Sequence, residues 1–191
     1  RGPGSLFGYS QSGSSLVGFE LYTKLLNQAV SILYPNQEVV DFEKIPQVVL
    51  GNDYIPKKYI PFDEDRVAVY NFISSCLDAN ALSSFFDSCV LKFGPPPLEF
   101  KNLFTSRKLS LFLYTKDVSS VVFKKGVVTF LFTSFTVISF DALVLVLDAF
   151  FKKRNISYFF KNVGGVFKFQ FKNNTKDVYI LVESLVKVLY E

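Results

Sequence analysis

Three sets of residues have types and spacings that could do chemistry. Ser10 stands in Gly8-Tyr9-Ser10-Gln11-Ser12-Gly13, where flanking glycines permit the tight turn that exposes a nucleophile. Asp63-Glu64-Asp65 places three carboxylates in a row, enough for proton transfer or for a hard divalent cation. Lys152, Lys153, Arg154, Lys161, Lys168 and Lys172 gather cations in one stretch, the composition that neutralises phosphates. The first two sets lack partners. The 191 residues contain no histidine, so the commonest general base and the commonest metal ligand are both missing. Cys76 and Cys89 have neither the spacing nor the companions of a zinc knuckle. Both fall in helical patterns, where a small buried apolar residue is their usual role. The three carboxylates also suit the first turn of a helix, whose dipole favours negative charge. No catalytic residue, metal site or cofactor is therefore expected.

The charges divide along the chain. Residues 1–100 hold 7 Lys/Arg against 11 Asp/Glu, and residues 101–191 hold 14 against 6, so an acidic half is joined to a basic one. Such asymmetry suits an anionic partner for the second half, or pairing between the halves. Two cysteines cannot form a disulfide framework and nothing resembles a signal peptide, which favours a reducing, cytoplasmic setting. The one stretch long enough to cross a bilayer, Phe130–Phe151, contains Asp141 and Asp148 and reads as core, so no transmembrane segment is expected.

The elements that must position these residues follow from periodicity. Residues 1–5 read as a cloning remnant. Helical spacing runs through Ser15–Leu33, and short strands fit Glu38–Phe42 and Gln47–Leu50. Gly51-Asn52-Asp53 is turn chemistry. A helix opens at Asp63, and another covers Ala79–Phe93 with Leu82, Phe85, Phe86, Cys89 and Val90 as its apolar stripe. Gly94-Pro95-Pro96-Pro97 must end it, because proline cannot continue a helix. Beyond the prolines, Leu109–Tyr114 reads as a strand, Asp117–Phe123 as a short helix or turn, and Val127–Phe132 as a strand that Thr133–Ile138 extends or pairs. Ser139 caps a helix over Asp141–Lys153. Ile156–Lys161 and Val166–Lys172 flank a hairpin turn at Gly164-Gly165, and a last helix spans Lys176–Tyr190. The fold class is α+β: a helical N-terminal half, then an antiparallel sheet with helices on one face. Residues 6–94 form a mainly helical acidic subdomain, and residues 98–191 a basic α+β subdomain. No internal repeat is visible.

Three resemblances attach to these residues. Phe7–Gly13, followed by a helix, resembles the nucleophile elbow of serine α/β-hydrolases, where cutinases and acyl-protein thioesterases carry Gly-x-Ser-Gln-Gly. That family implies a nucleophilic Ser10 with histidine as its base. Here Ser12 fills the place of the second glycine, no histidine exists, and only Leu6 and Phe7 precede Gly8, so Ser10 reads as a linker or capping serine. Val166–Lys172 resembles the aromatic strand of RNA-recognition motifs, whose bases stack on exposed rings. With helices covering one side, Phe167, Phe169 and Phe171 belong to the core instead, leaving Lys168, Gln170 and Lys172 outside. The Phe-, Val-, Leu-, Ser- and Tyr-rich composition, without Met or Trp, looks like that of domains of nidovirus replicase polyproteins.

The leading expectation is a non-enzymatic binding module of a larger, viral polypeptide. Lys152, Lys153, Arg154, Lys161, Lys168 and Lys172 would contact RNA phosphates or an acidic protein surface. A structural or self-associating domain, forming a homo-oligomer or docking its acidic half on its basic half, is the alternative. A degenerate hydrolase fragment around Ser10 is the third.

Overall fold

Among the described residues, three helices precede the main run of strands, and one of them ties two cores together. The structure, a computed structural model, describes residues 45–135, 138–164, 166–173 and 177–190. The elbow-like run, Ser10, the helix over Ser15–Leu33 and the strand at Glu38–Phe42 lie outside these residues. Strand β1 is Gln47–Val49, followed by helices α1 (Asp63–Ser75), α2 (Ala79–Phe93) and α3 (Leu98–Leu113). The hairpin of β2 (Val118–Lys124) and β3 (Val127–Phe132) comes next, then helix α4 (Phe140–Lys152). A second hairpin, β4 (Tyr158–Val163) and β5 (Val166–Lys172), leads into α5 (Val178–Tyr190). All described residues belong to one compact unit, Glu43–Glu191.

Caps and turns explain most of the boundaries. Asp63, Glu64 and Asp65 occupy the first turn of α1, as its dipole favours. Asp78 caps α2 by accepting from Asn80 N. Gly94, at φ 86°, takes the chain out of α2 into the three prolines. Ser139 Oγ accepts from Ala142 N at the start of α4, and Asp177 Oδ1 accepts from Tyr179 N and Ile180 N at the start of α5. Lys125 and Gly126, both at positive φ, close the β2–β3 hairpin in two residues. The C-terminal end of α1 is held from a distance: Arg107 Nη2 donates to the carbonyls of Ser74 and Cys76 at 2.8 and 2.9 Å.

The sheet runs β1-β2-β3-β5-β4. All neighbours are antiparallel except β1, which lies parallel to β2 and makes the sheet mixed. The chain is α+β, with helices packed on one sheet face. Each hairpin is followed by a helix, and β3 lies beside β5. The second half thus carries the order ββα twice, with β3 and β5 adjacent in the sheet.

Two differences from the sequence reading concern element type. Leu109–Tyr114 is the last part of α3 rather than a strand, and α3 begins at Leu98. Its inward residues, Phe100, Leu103, Phe104, Ser106, Leu109, Ser110 and Leu113, ring more than one side of the helix and blur the 3.6-residue period. Asp117–Phe123 is strand β2, not a helix or turn; a register irregularity between Val118 and Ser120 buries Ser120 and Val121 consecutively and hides the alternation. Thr133–Phe135 continues no strand.

The apolar residues form two clusters. Ile55, Ile60, Val69, Ile73, Leu82, Cys89, Phe100, Leu103 and Phe104 pack between α1, α2 and α3. The larger cluster joins the inner sheet face to α3, α4 and α5, with Phe130, Phe151, Phe169 and Phe171 wholly enclosed at its centre. Phe151 meets Phe171 at 4.8 Å between ring centres, and such pairs add about 0.5–1.5 kcal/mol beyond their burial. Helix α3 serves both clusters, Phe100 and Phe104 in the first and Leu109 and Leu113 in the second.

Candidate functional site

Strand alternation builds a cationic face. On β5, Phe169 and Phe171 are fully enclosed and Phe167 is half-buried, so Lys168, Gln170 and Lys172 occupy the opposite face. On β4, Tyr158 and Phe160 stand opposite Phe171 and Phe169, which puts Phe159 and Lys161 on that same outer face. Lys161 lies directly across from Lys168. Continuing across the sheet, Lys168 faces Leu131, and Lys172 faces Val127, which in turn pairs with Lys124. None of the strands β2 to β5 contains an aspartate or glutamate. Like charges directly opposite one another destabilise a sheet. The Lys161–Lys168 pair therefore carries a cost that a counter-charge would remove. Gln170 Nε2 donates to Thr129 Oγ1 at 2.8 Å, holding the middle of this face in a fixed pattern.

The six cations named from sequence fall into two groups. Lys161, Lys168 and Lys172 share the outer sheet face. Lys152, Lys153 and Arg154 end α4, which packs on the inner face. Arg154 is engaged locally: Nη1 donates to Phe150 O at 2.9 Å and the guanidinium stacks 3.7 Å from the Phe150 ring centre. Lys152 and Lys153 are exposed at the sheet end where Lys172 also lies, since Tyr158, soon after them, pairs with Phe171. Sequence reasoning missed Lys124 and Phe159 on the cationic face. Assigning β4 its inward and outward positions, once β5 had been assigned, would have found Phe159.

The other chemical candidates have structural occupations. Asp63 pairs with Arg66, whose Nη1 also donates to the carbonyls of Ile60 and Pro61, and Asp65 accepts from Lys92 Nζ at 2.9 Å. Cys89 is buried, which pushes its thiol pKa up, and Cys76 is half-buried; both are free thiols. Among the described residues no group of three His, Cys, Asp or Glu is placed to hold a metal ion, and no helix is long and apolar enough to cross a membrane.

One polar group was not foreseen. Asp53 accepts from Ser106 Oγ at 3.1 Å, and burial raises its carboxyl to about 6 although that hydrogen bond opposes the shift. The Tyr179 hydroxyl lies enclosed without a hydrogen bond of good geometry, and its pKa is raised by burial and by Asp53. A small cleft of about 180 Å³ opens beside Tyr179, between Asn52, Asn102 and Asp177.

The family match begins in this part of the chain. Residues 51–143 match the family model described as the TRCF domain. The match spans the Asp53 turn, α1 to α3, the β2–β3 hairpin and the start of α4. It stops short of Lys152–Lys172. A transcription-repair-coupling factor from Rickettsia prowazekii is 29% identical over 123 residues, covering 63% of this chain and 11% of that protein. The Rickettsia bellii protein of the same name is 30% identical over 125 residues, and the Bacillus subtilis one 28% over 123. The chain thus spans about a tenth of the length of these relatives. A crystal structure of the C-terminal domain of transcription-repair coupling factor superposes with a TM-score of 0.54, at 19% identity, over 75% of this chain and 92% of that one. At that identity the likeness supports the fold alone.

These findings overturn the resemblance to nidovirus replicase domains, and with it the viral polyprotein setting. The similar proteins are bacterial transcription-repair-coupling factors. The physical reason is that a Phe- and Val-rich composition reports codon bias, which an AT-rich cellular genome shares with a viral one.

Proposed function

We propose that this chain is the TRCF domain of a longer, cytoplasmic transcription-repair-coupling factor and works there as a non-catalytic binding module. Its ligand is a nucleic acid, held by phosphate contacts to Lys161, Lys168 and Lys172, with Lys124, Lys152 and Lys153 at the margins. The observation that carries this reading is the cross-strand register of Lys161 and Lys168 on a sheet face without a carboxylate. Phosphate contacts position a nucleic acid without reading its bases, so RNA and DNA should bind with little sequence preference.

The test is fluorescence anisotropy with labelled duplex DNA and RNA at low salt, comparing the wild type with Lys161→Glu/Lys168→Glu. Charge reversal should abolish binding while leaving the thermal midpoint nearly unchanged. Equal affinity in the double variant would remove this face as the binding surface. Absence of wild-type binding, with capture of an acidic protein that the variant loses, would move the partner to the protein class.

A further inference from the structure

Phe159 is the aromatic side chain that strands β2 to β5 turn away from the helices. Phe123, Phe130, Phe132, Tyr158, Phe160, Phe167, Phe169 and Phe171 all pack in or against the inner core. Phe159 instead is 43% exposed on the cationic face. It makes no ring–ring contact among the described residues; Lys161 Nζ lies 5.5 Å from its ring centre. Burying a phenylalanine stabilises a fold, so leaving this ring partly in water forgoes some of that gain.

Its position between the cations is what gives the ring a use. Phe159 stands opposite Gln170, with the Lys161–Lys168 row on one side along the strands and Lys172 on the other. Successive outward positions of a strand are about 7 Å apart. The face therefore presents cation, flat apolar ring, cation. Duplex DNA could engage the lysines alone, because its base faces are covered by neighbouring pairs. An unpaired base has a free face, and stacking on an aromatic side chain is tolerant of base identity.

We propose that this face binds single-stranded nucleic acid, with one base stacked on Phe159 and the flanking phosphates on Lys161, Lys168 and Lys172. The inference rests on the phosphate-binding reading above and adds a preference for unpaired strands. Phosphate contacts hold the backbone, and the ring supplies an interaction that a duplex cannot use.

The experiment measures anisotropy with a labelled single-stranded oligodeoxynucleotide, its oligoribonucleotide equivalent and the matching DNA duplex. The proteins are the wild type, Phe159→Ala, Phe159→Tyr and Lys161→Ala/Lys168→Ala, each checked for an unchanged thermal midpoint. A parallel titration uses a single strand carrying 2-aminopurine, whose fluorescence is quenched by stacking. Stacking worth about 1–3 kcal/mol predicts that Phe159→Ala weakens single-strand binding roughly 5- to 150-fold and abolishes the quench. Duplex binding should stay unchanged, and Phe159→Tyr should keep both signals. Phe159→Ala binding single strands as tightly as the wild type, or losing duplex affinity equally, overturns the stacking proposal. If the lysine variant still weakens both ligands in that case, phosphate binding survives it. If the wild type binds no nucleic acid, both fall.

Discussion

Asp53 shows what a single residue contributes that its neighbours in sequence cannot announce. Gly51-Asn52-Asp53 reads as turn chemistry and lies in an irregular stretch after β1, yet Asp53 meets Ser106, 53 residues away, and burial raises its pKa from 3.8 to about 6. The folded state thus holds the Asp53 proton more tightly than the unfolded chain does. Protonation favours folding, the benefit is complete below about pH 4, and it is lost as pH rises towards 6. Two pKa units correspond to roughly 3 kcal/mol, an upper figure for a group that water still reaches in part. Asp53→Asn should therefore raise the urea midpoint at pH 8, by about 1–2 kcal/mol of stability, and give no gain at pH 4. Equal effects at the two pH values would mean that Asp53 ionises as freely as an exposed carboxylate. Phe159 was hidden for a related reason: a phenylalanine in a Phe-rich strand reads as core until the strand is given its faces. Lys168 and Lys172 were legible because Val166–Lys172 alternates without a break.

At the scale of elements, the sequence was informative where one face was apolar and the ends carried their own signals. Helix α2 matches its expected span because Asp78 caps it and Gly94 releases it into three prolines. Strand β3 and the β4–β5 hairpin follow from alternation and paired glycines. Helix α3 does not read as a helix at all, and its last turns read as a strand, because it has no single apolar face. Its Phe100, Leu103 and Phe104 belong to one cluster, and its Leu109 and Leu113 to the other. That dual attachment makes α3 the joint between the helical part and the sheet part. Phe100 is wholly enclosed, so Phe100→Ala should cost about 3–5 kcal/mol. A fragment of residues 98–191 would leave Phe100, Leu103 and Phe104 uncovered. It should bind a hydrophobic dye strongly and melt below the full chain, and replacing those three side chains by polar ones should suppress the dye signal. A 98–191 fragment that matches the full chain in midpoint and ignores the dye would show that the sheet part needs nothing from α1 and α2.

For the whole molecule, the division of charge is the feature that connects sequence to use. An acidic half and a basic half were evident from counting. Where the basic residues gather was not, because strand register decides it. Register puts Lys161 across from Lys168 and keeps Lys172 on the same face. It also separates them from Arg154, which is occupied at the end of α4. The family match lies over the helical part and the first hairpin, whereas the cationic face is completed by the second hairpin. If this face neutralises phosphates, nucleic-acid affinity must depend steeply on salt. Each phosphate contact on a duplex contributes about 0.9 to the slope of log affinity against log salt concentration. Lys161→Ala/Lys168→Ala/Lys172→Ala should therefore flatten the wild-type slope on duplex DNA by about 2.7 units. A triple variant with the same slope and affinity as the wild type would mean that these lysines contact no phosphate.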